Sequence, residues 1–178
     1  MKKYLYLVAI ALVSCGAVLS SCSDDKISGD SIFSTKAVER NAFDQWLYKN
    51  YTMPYNIDFQ YRLKTEETEQ AYNFVPADSA KTVKLAILTK YMWFDAYAET
   101  VGLDFIKENA PRIILVTGTP GYTRYRTEVI GSAEGGYKVR LGKVNALTDD
   151  QLKDYGSMNN YYFHTMHHEF MHILNQKK

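Results

Sequence analysis

The chain has 178 residues, enough for one modest domain, and its composition is ordinary for a soluble globular protein. Its 21 lysine and arginine residues nearly cancel its 20 aspartate and glutamate residues, which gives a formal net charge of +1. This balance creates no long-range attraction to nucleic acid or to an anionic membrane surface, so we expect no nucleic-acid partner.

Residues 1–21 have the pattern of a bacterial signal peptide. Lys2 and Lys3 precede an uncharged run that extends to Leu19, as in the charged and apolar regions of an export signal. The run is too short and wrongly flanked for a good transmembrane helix. The sequence Leu19-Ser20-Ser21-Cys22 resembles the bacterial lipobox, in which a signal peptidase cuts before a lipidated cysteine.

Cys22 would then become the first residue of the mature protein. The alternative is an ordinary secretory cysteine that awaits a disulfide, but the other cysteine, Cys15, lies inside the signal and leaves with it. We therefore expect acyl chains on Cys22, palmitate among them, to anchor the protein in the outer membrane.

The residues after Cys22 are expected to form a tether over residues 22–35, because they are small, polar and mixed in charge. Within them, Ser23-Asp24-Asp25-Lys26 resembles the surface-export signal of Bacteroidota lipoproteins. That resemblance implies exposure at the cell surface, and a plain solvated linker is the alternative.

The domain is expected to cover residues 36–178. Its first half is predicted to contain two helices and a strand. A helix is predicted from about Lys36 to Asn50, with Ser34 or Thr35 as its cap. Strict alternation of apolar and polar residues predicts a strand from Tyr55 to Lys64. A long helix should follow from Pro76–Ser79 to Val101, stopped by Gly102. Its core-facing stripe is predicted to be Val83, Ile87, Tyr91, Phe94 and Ala98.

The second half is predicted to contain three strands and two helices. The strands should cover residues 112–117, 122–130 and 137–144, with the last two forming a hairpin around the turn-rich residues 131–136. A capping box at Thr148–Gln151 predicts a short helix, and Asn159 or Asn160 should cap the last one, from about Tyr161 to Gln176. We therefore expect an α+β fold with a mixed or antiparallel sheet and a long backing helix.

All four histidines of the chain lie within nine consecutive residues, and two of them form the motif HExxH. His168 and His172 are four residues apart, so on a helix they project from one side, about 6 Å apart along the axis. Both can bind one Zn²⁺ through ring nitrogens, and Glu169 can reach a water beside it as a general base. The alternative is a histidine-rich amphipathic helix that only packs.

The remaining ligand of such a site is not evident from the sequence. His164 lies eight residues before His172, about 12 Å along a helix axis, so it is expected beside the ligands or facing the substrate. His167 should point elsewhere. A third ligand usually follows the helix, yet few residues follow His172 here, so we expect a domain that is truncated at its carboxyl end. Asp149 or Asp150 is an upstream alternative.

Three stretches of the chain resemble a family of Bacteroidota lipoproteins, the substrate import-associated zinc metallohydrolases, which are zincin-like. These stretches are residues 43–62, Tyr72–Pro76 and, most specifically, Phe163–Gln176. The resemblance implies a surface metallopeptidase that trims an extracellular macromolecule beside a TonB-dependent importer. It also implies that His168 and His172 bind zinc and that Glu169 is catalytic. The alternative is a non-catalytic surface lipoprotein that binds a partner or nutrient, with an incomplete zinc site.

Overall fold

The computed structural model describes residues 39–177 of the chain. The predicted signal at residues 1–21, the lipid anchor at Cys22 and the tether at residues 22–35 lie outside the described residues and stay predictions. Within the described range, no helix combines the length and the apolar character needed to cross a membrane.

Five helices are present in the described range, and three of them contain a π-helical stretch. Helix α1 comprises Ala42–Leu47, the π-helical Tyr48–Thr52 and Met53–Tyr55; α2 comprises Ser79–Thr89, the π-helical Lys90–Asp95 and Ala96–Val101; α3 is Leu103–Asn109; α4 is Asp149–Lys153; α5 comprises Tyr155–Met158, the π-helical Asn159–Phe163 and His164–Gln176. Short 3₁₀ turns occur at Thr65–Glu67 and Val144–Ala146.

The starts of α1 and α2 are fixed by polar side chains that satisfy otherwise free backbone N–H groups. The Asn41 side chain accepts a hydrogen bond of 2.7 Å from the backbone N–H of Asp44. Residues 39–41 are not helical, so the prediction of one continuous helix from Lys36 to Asn50 is wrong. Helix α2 begins after its cap, Asp78, and ends at Gly102, whose φ is +100°, which confirms the predicted long helix.

Helices α4 and α5 follow one another with a single residue between them. The predicted capping box of Thr148 and Gln151 is present at α4. Helix α5 begins earlier than predicted, because the Asp154 side chain accepts a hydrogen bond of 2.8 Å from the Ser157 N–H. Asn159 lies within the helix rather than at its cap, and the prediction of a start near Tyr161 is therefore wrong.

The main sheet is mixed, as predicted, and has the strand order β1-β2-β6-β5. Strands β1, β2 and β6 are parallel, whereas β5 runs antiparallel to β6 and forms one edge. A separate antiparallel pair consists of β3 and β4. The strands are β1 (Asp58–Gln60), β2 (Ile113–Val116), β3 (Gly121–Tyr122), β4 (Glu128–Val129), β5 (Gly131–Glu134) and β6 (Lys138–Leu141).

The first predicted strand is shorter than expected. Residues 55–61 alternate between buried and more exposed positions as predicted, but only Asp58–Gln60 form a strand. Helix α1 extends to Tyr55, and Asn56 ends it in a left-handed conformation with φ of +55°. Alternating burial therefore occurred without a full-length strand.

The predicted hairpin exists, with a different first strand. Gly131–Glu134, which we predicted as the turn, is strand β5 and pairs with β6. The turn is confined to residues 135–137, and within it Gly135 and Gly136 have φ angles of +57° and +71°, which favour glycine. Residues 122–130 do not form one strand, because they fold back as the β3-β4 pair.

The core lies between α1, α2 and α5 and the inner face of the sheet. Aromatic rings join the three helices: Tyr51 of α1 meets Phe94 at a centroid distance of 5.6 Å, and Trp93 of α2 meets Phe170 of α5 at 5.5 Å. Ile114, Val116, Val139 and Leu141 are the side chains of β2 and β6 in this core.

The predicted apolar stripe of α2 is confirmed only in part: Phe94 is fully buried and Ala98 packs against the core, whereas two other members are exposed. Ile87 is 47% exposed and Tyr91 is 71% exposed. The buried face consists of the predicted Phe94 together with Thr82, Leu85, Ala86, Thr89 and Trp93. The π-helical stretch at Lys90–Asp95 changes the rotation per residue, so a stripe read at constant α-helical spacing cannot follow one face.

Candidate metal centre

Helix α5 presents its apolar face to the core, and three of its histidines, His164, His168 and His172, to the outside. Met166, Phe170 and Ile173 are fully buried. Phe170 packs edge-on against Tyr97, with ring centroids 5.0 Å apart. Because the helix is fixed on this side, the opposite side, which carries His168 and His172, is exposed.

His168 and His172 point their ring nitrogens at one another. Their Nε2 atoms are 3.0 Å apart, and the ring planes are inclined by 81°. For two nitrogen ligands about 2.1 Å from zinc, a separation of about 3.0–3.4 Å corresponds to an angle of about 90–110° at the metal. The two side chains therefore fit adjacent positions of one tetrahedral zinc ion.

Glu169 lies on the side of α5 that faces the edge strand β5. It is buried, with only 9% of its surface exposed. Among residues 39–177, no side chain or backbone group forms a hydrogen bond or ion pair with its carboxylate. A carboxylate without an intramolecular partner is free to exchange a proton with a small molecule beside it.

The other two histidines have different surroundings. The ring of His164 is exposed and lies 6.0 Å from that of His168 between centroids, on the same side of α5. His167 points toward α2, where its Nδ1 is 3.3 Å from the hydroxyl of Tyr97. Burial, with a smaller contribution from His164, lowers the pKa of His167. This orientation confirms the prediction that His167 points elsewhere.

A third zinc ligand is not present in the described part of the chain. No group of three or more histidine, cysteine, aspartate or glutamate side chains in residues 39–177 could hold a metal ion. Asp149, one predicted alternative, forms an ion pair with Lys84 of α2. The described residues thus provide two adjacent nitrogen ligands.

Gly131 allows β5 to approach α5 closely, and sequence analysis missed this role. A β-carbon at Gly131 would lie 2.2 Å from Thr165 Cγ2 and 3.4 Å from Glu169 Cγ. The first distance is far below van der Waals contact, so only glycine fits without a shift. Its place in a turn-like Gly-Ser pair concealed this function in the sequence.

Within residues 39–177, the edge of β5 has backbone groups without a hydrogen-bond partner beside the candidate site. The N–H of Gly142 donates a 2.7 Å hydrogen bond to Ile130 O. Because hydrogen-bonded pairs alternate in an antiparallel ladder, Ser132 and Glu134 bond to β6, and the backbone groups of Gly131 and Ala133 point outward. An extended peptide could pair there.

An ion pair between the buried Arg140 and the partly exposed Glu69 holds β5 from the outer face of the sheet, and sequence analysis did not predict it. Arg140 of β6 is 1% exposed, and its Nε donates a 3.1 Å hydrogen bond to Glu69 Oε1. The same carboxylate oxygen accepts a hydrogen bond from Ser132 of β5. The Arg140 guanidinium also donates to the carbonyl oxygens of Val129 and Ile130, each at 3.4 Å. These contacts fix the backbone on both sides of Gly131.

Comparisons with known proteins point to a family of metallo-peptidases. The family model described as "putative zinc-binding metallo-peptidase" matches residues 36–178. A crystal structure of a "putative zinc-binding metallo-peptidase" from Bacteroides caccae is similar at 45% sequence identity, with a TM-score of 0.59. The match covers 83% of this chain and 55% of that one, so the chain spans little more than half the length of the solved protein. A search of curated proteins found no match.

Replacing Gly131 with alanine should separate β5 from α5. We expect Gly131→Ala to lower the free energy of unfolding by about 1–3 kcal/mol, because the new methyl group overlaps Thr165. Chemical denaturation would measure the loss. Gly156→Ala is the matched control, since its β-carbon would meet nothing closer than 3.5 Å and helix α5 favours alanine. Equal stability of Gly131→Ala and the parent would contradict this account of the packing.

The Glu69–Arg140 pair should make stability depend on pH below about 4.5. Burial alone would raise the pKa of Glu69, but the Ser132 hydrogen bond and the Arg140 charge outweigh it and lower this pKa from its ordinary 4.5. A carboxyl with a lowered pKa stabilises the fold above its ordinary pKa, and this stabilisation is lost as pH falls through the lowered value.

Glu69→Gln should therefore be less stable than the parent at pH 7, by roughly 1.5–3 kcal/mol for a charge-assisted hydrogen bond. The difference should shrink as pH falls below about 4.5. Thermal unfolding at a series of pH values would measure it, with exposed Glu66→Gln as the control. Parallel pH profiles of the parent and Glu69→Gln would show that the pair does not carry this dependence.

Proposed function

The chain belongs to the family described as "putative zinc-binding metallo-peptidase", whose model matches residues 36–178, and from this premise we propose that it carries the zinc-binding and proton-transferring part of an amide hydrolase. The observation that carries the proposal is the 3.0 Å separation of the His168 and His172 Nε2 atoms, with Glu169 between them in sequence. Two imidazoles and a carboxylate at this spacing are the groups that metal-assisted peptide hydrolysis requires.

His168 and His172 would hold the metal, oriented by the packing of Phe170 and Ile173 in the core on the opposite side of α5. Zinc, when bound, supplies a Lewis acid that polarises a carbonyl and acidifies a water. The Glu169 carboxylate takes the proton from the attacking water and then delivers it to the leaving amine nitrogen. A third ligand beyond the described residues would complete the site.

Strand β5 supports a protein or peptide as the substrate. The outward backbone groups of Gly131 and Ala133 can pair with an extended chain, as in other proteins that bind peptides by adding a strand to a sheet. Gly131 also lies against Glu169. A paired peptide would therefore run along α5 on the side of the candidate base.

The Glu169→Gln variant tests the proposed chemistry. The measurement uses the natural protein isolated from its host cell. We expect the rate of peptide hydrolysis to fall by at least about 100-fold, since general-base catalysis raises rates by a factor of about 10²–10⁴. Zinc should be retained in Glu169→Gln and lost in His172→Ala, as measured by metal analysis after dialysis. Exposed Glu99→Gln is the control.

Unchanged hydrolysis in Glu169→Gln would refute the role of this residue. If the parent binds zinc but hydrolyses no peptide, the second candidate gains support, namely a non-catalytic surface lipoprotein that binds a partner or nutrient. The specific observation in its favour is that the described residues supply only two of the usual three protein ligands.

The cellular setting is a further part of the proposal, and it rests on the lipobox-like residues that end in Cys22 and on the family resemblance. The protein would be lipid-anchored in the outer membrane, face the outside and act beside a TonB-dependent importer. Cys22→Ala should release it from the membrane fraction. Cross-linking of whole cells should recover an importer with the parent but not with Cys22→Ala. Retention of the variant in the membrane would exclude Cys22 as the anchor.

A further inference from the structure

The segment that leads into β5 is a short hairpin, residues 121–129, formed by β3, β4 and the turn between them. Its turn is closed by backbone hydrogen bonds from Thr123 to Thr127, at 3.0 Å, and from Arg126 to Thr123, at 2.9 Å. The Thr123 hydroxyl also accepts hydrogen bonds from the N–H groups of Tyr125 and Thr127. Local bonds thus hold the tip in one conformation.

Arg126 occupies a backbone position that favours glycine. Its φ is +60°, in the left-handed region that is unfavourable for residues with a β-carbon. Asn56 and Lys143 are the other non-glycine residues with positive φ in the described range. Asn56 ends a helix, which asparagine tolerates well, and Lys143 forms an ion pair with Glu128. At Arg126 the left-handed conformation belongs to the turn itself, which the hydrogen bond from the Arg126 N–H to Thr123 O closes.

The tip carries two arginines whose charges are not compensated nearby. Arg124 and Arg126 are exposed, and neither forms an ion pair within residues 39–177. The guanidinium of Arg124 lies 4.7 Å above the centre of the Tyr125 ring, which is 75% exposed. Glu128, the acidic residue of the hairpin, is already paired with Lys143. Exposed guanidinium groups bind carboxylates through paired hydrogen bonds, and they also stack on aromatic side chains.

The base of the hairpin contacts helix α5, which carries the candidate site. Lys143, paired with Glu128, places its Nζ 5.0 Å from the ring centre of Tyr161 in α5. Strand β4 ends at Val129, two residues before Gly131 reaches Glu169. At about 3.3 Å per residue, the tip is within roughly 20 Å of Gly131, which an extended peptide of about six residues spans.

We propose that Arg124, Tyr125 and Arg126 bind a carboxylate-rich segment of the polypeptide substrate, a few residues from the bond that is cleaved. That the bound segment belongs to a substrate rests on the proposed function, but binding itself does not require hydrolysis.

The test uses two fluorescent twelve-residue peptides, one with four glutamates and one with glutamines in their place. Binding is measured by fluorescence anisotropy with the full chain carrying Glu169→Gln, so that neither peptide is cut. We expect the acidic peptide to bind at least tenfold more tightly than the neutral one, and this preference to weaken with added salt. Arg126→Gly and Arg124→Gln, made in the same background, should each reduce acidic-peptide affinity at least tenfold.

Two control variants distinguish the proposed binding site from an effect of unfolding and from a general effect of positive surface charge. Arg126→Gly should unfold at the same temperature as its parent or higher, because glycine readily adopts a positive φ. Arg40→Gln removes another exposed arginine, which lies 4.3 Å above the Tyr48 ring near the other end of the described chain, and it should leave peptide affinity unchanged.

Equal binding of the acidic and neutral peptides, or unchanged affinity in both tip variants, would overturn the proposal, as would an equal loss in Arg40→Gln. Selective acidic-peptide binding that depends on the tip, in a protein that hydrolyses no peptide with Glu169 intact, would uphold this surface and refute the hydrolase. Hydrolysis without acidic-peptide preference would uphold the hydrolase and refute this surface.

Discussion

Gly131 of β5 lies so close to α5 that any β-carbon would overlap Thr165, and the same contact brings the strand beside Glu169. Much of the site depends on this approach. It sets the distance between α5, which carries the histidines, and the edge strand β5, which we propose as the peptide-binding edge. It also shields one side of Glu169, which is buried yet has no partner among the described residues. A larger residue would move the helix and strand apart.

Two opposed sets of contacts hold this approach in place. On the inner side, Phe170 and Ile173 fix α5 against Trp93, Tyr97 and the sheet through buried apolar packing. On the outer side, the buried charge of Arg140 binds Glu69 and the carbonyl groups that precede Gly131. Removing one partner of a buried pair leaves the other charge uncompensated, so the segment around Glu69 and strand β5 are stabilised together. The strand is thus fixed from both faces.

Prediction from sequence succeeded where a signal was local. The capping box of Thr148, the stop at Gly102 and the glycine turn of the hairpin depend on residues within one or two turns of each other. It failed where two local signals competed. Asn159 and Asn160 resemble a helix cap, but Asp154 caps α5 earlier in the chain. In α2, the π-helical stretch shifts the buried face, and Ile87 and Tyr91 are exposed.

The sequence by itself placed the candidate ligands and base of the site, because the spacing of His168 and His172 and the position of Glu169 follow from one helix. It also indicated the metallo-peptidase family and the α+β class. Only the tertiary structure decided that Gly131 adjoins Glu169, that Arg140 pairs with Glu69, and that residues 131–134 form the edge strand. These contacts join residues 38 to 71 positions apart or depend on which face of a strand is covered. Periodicity and local propensity carry no information about such pairings, which arise when the elements pack.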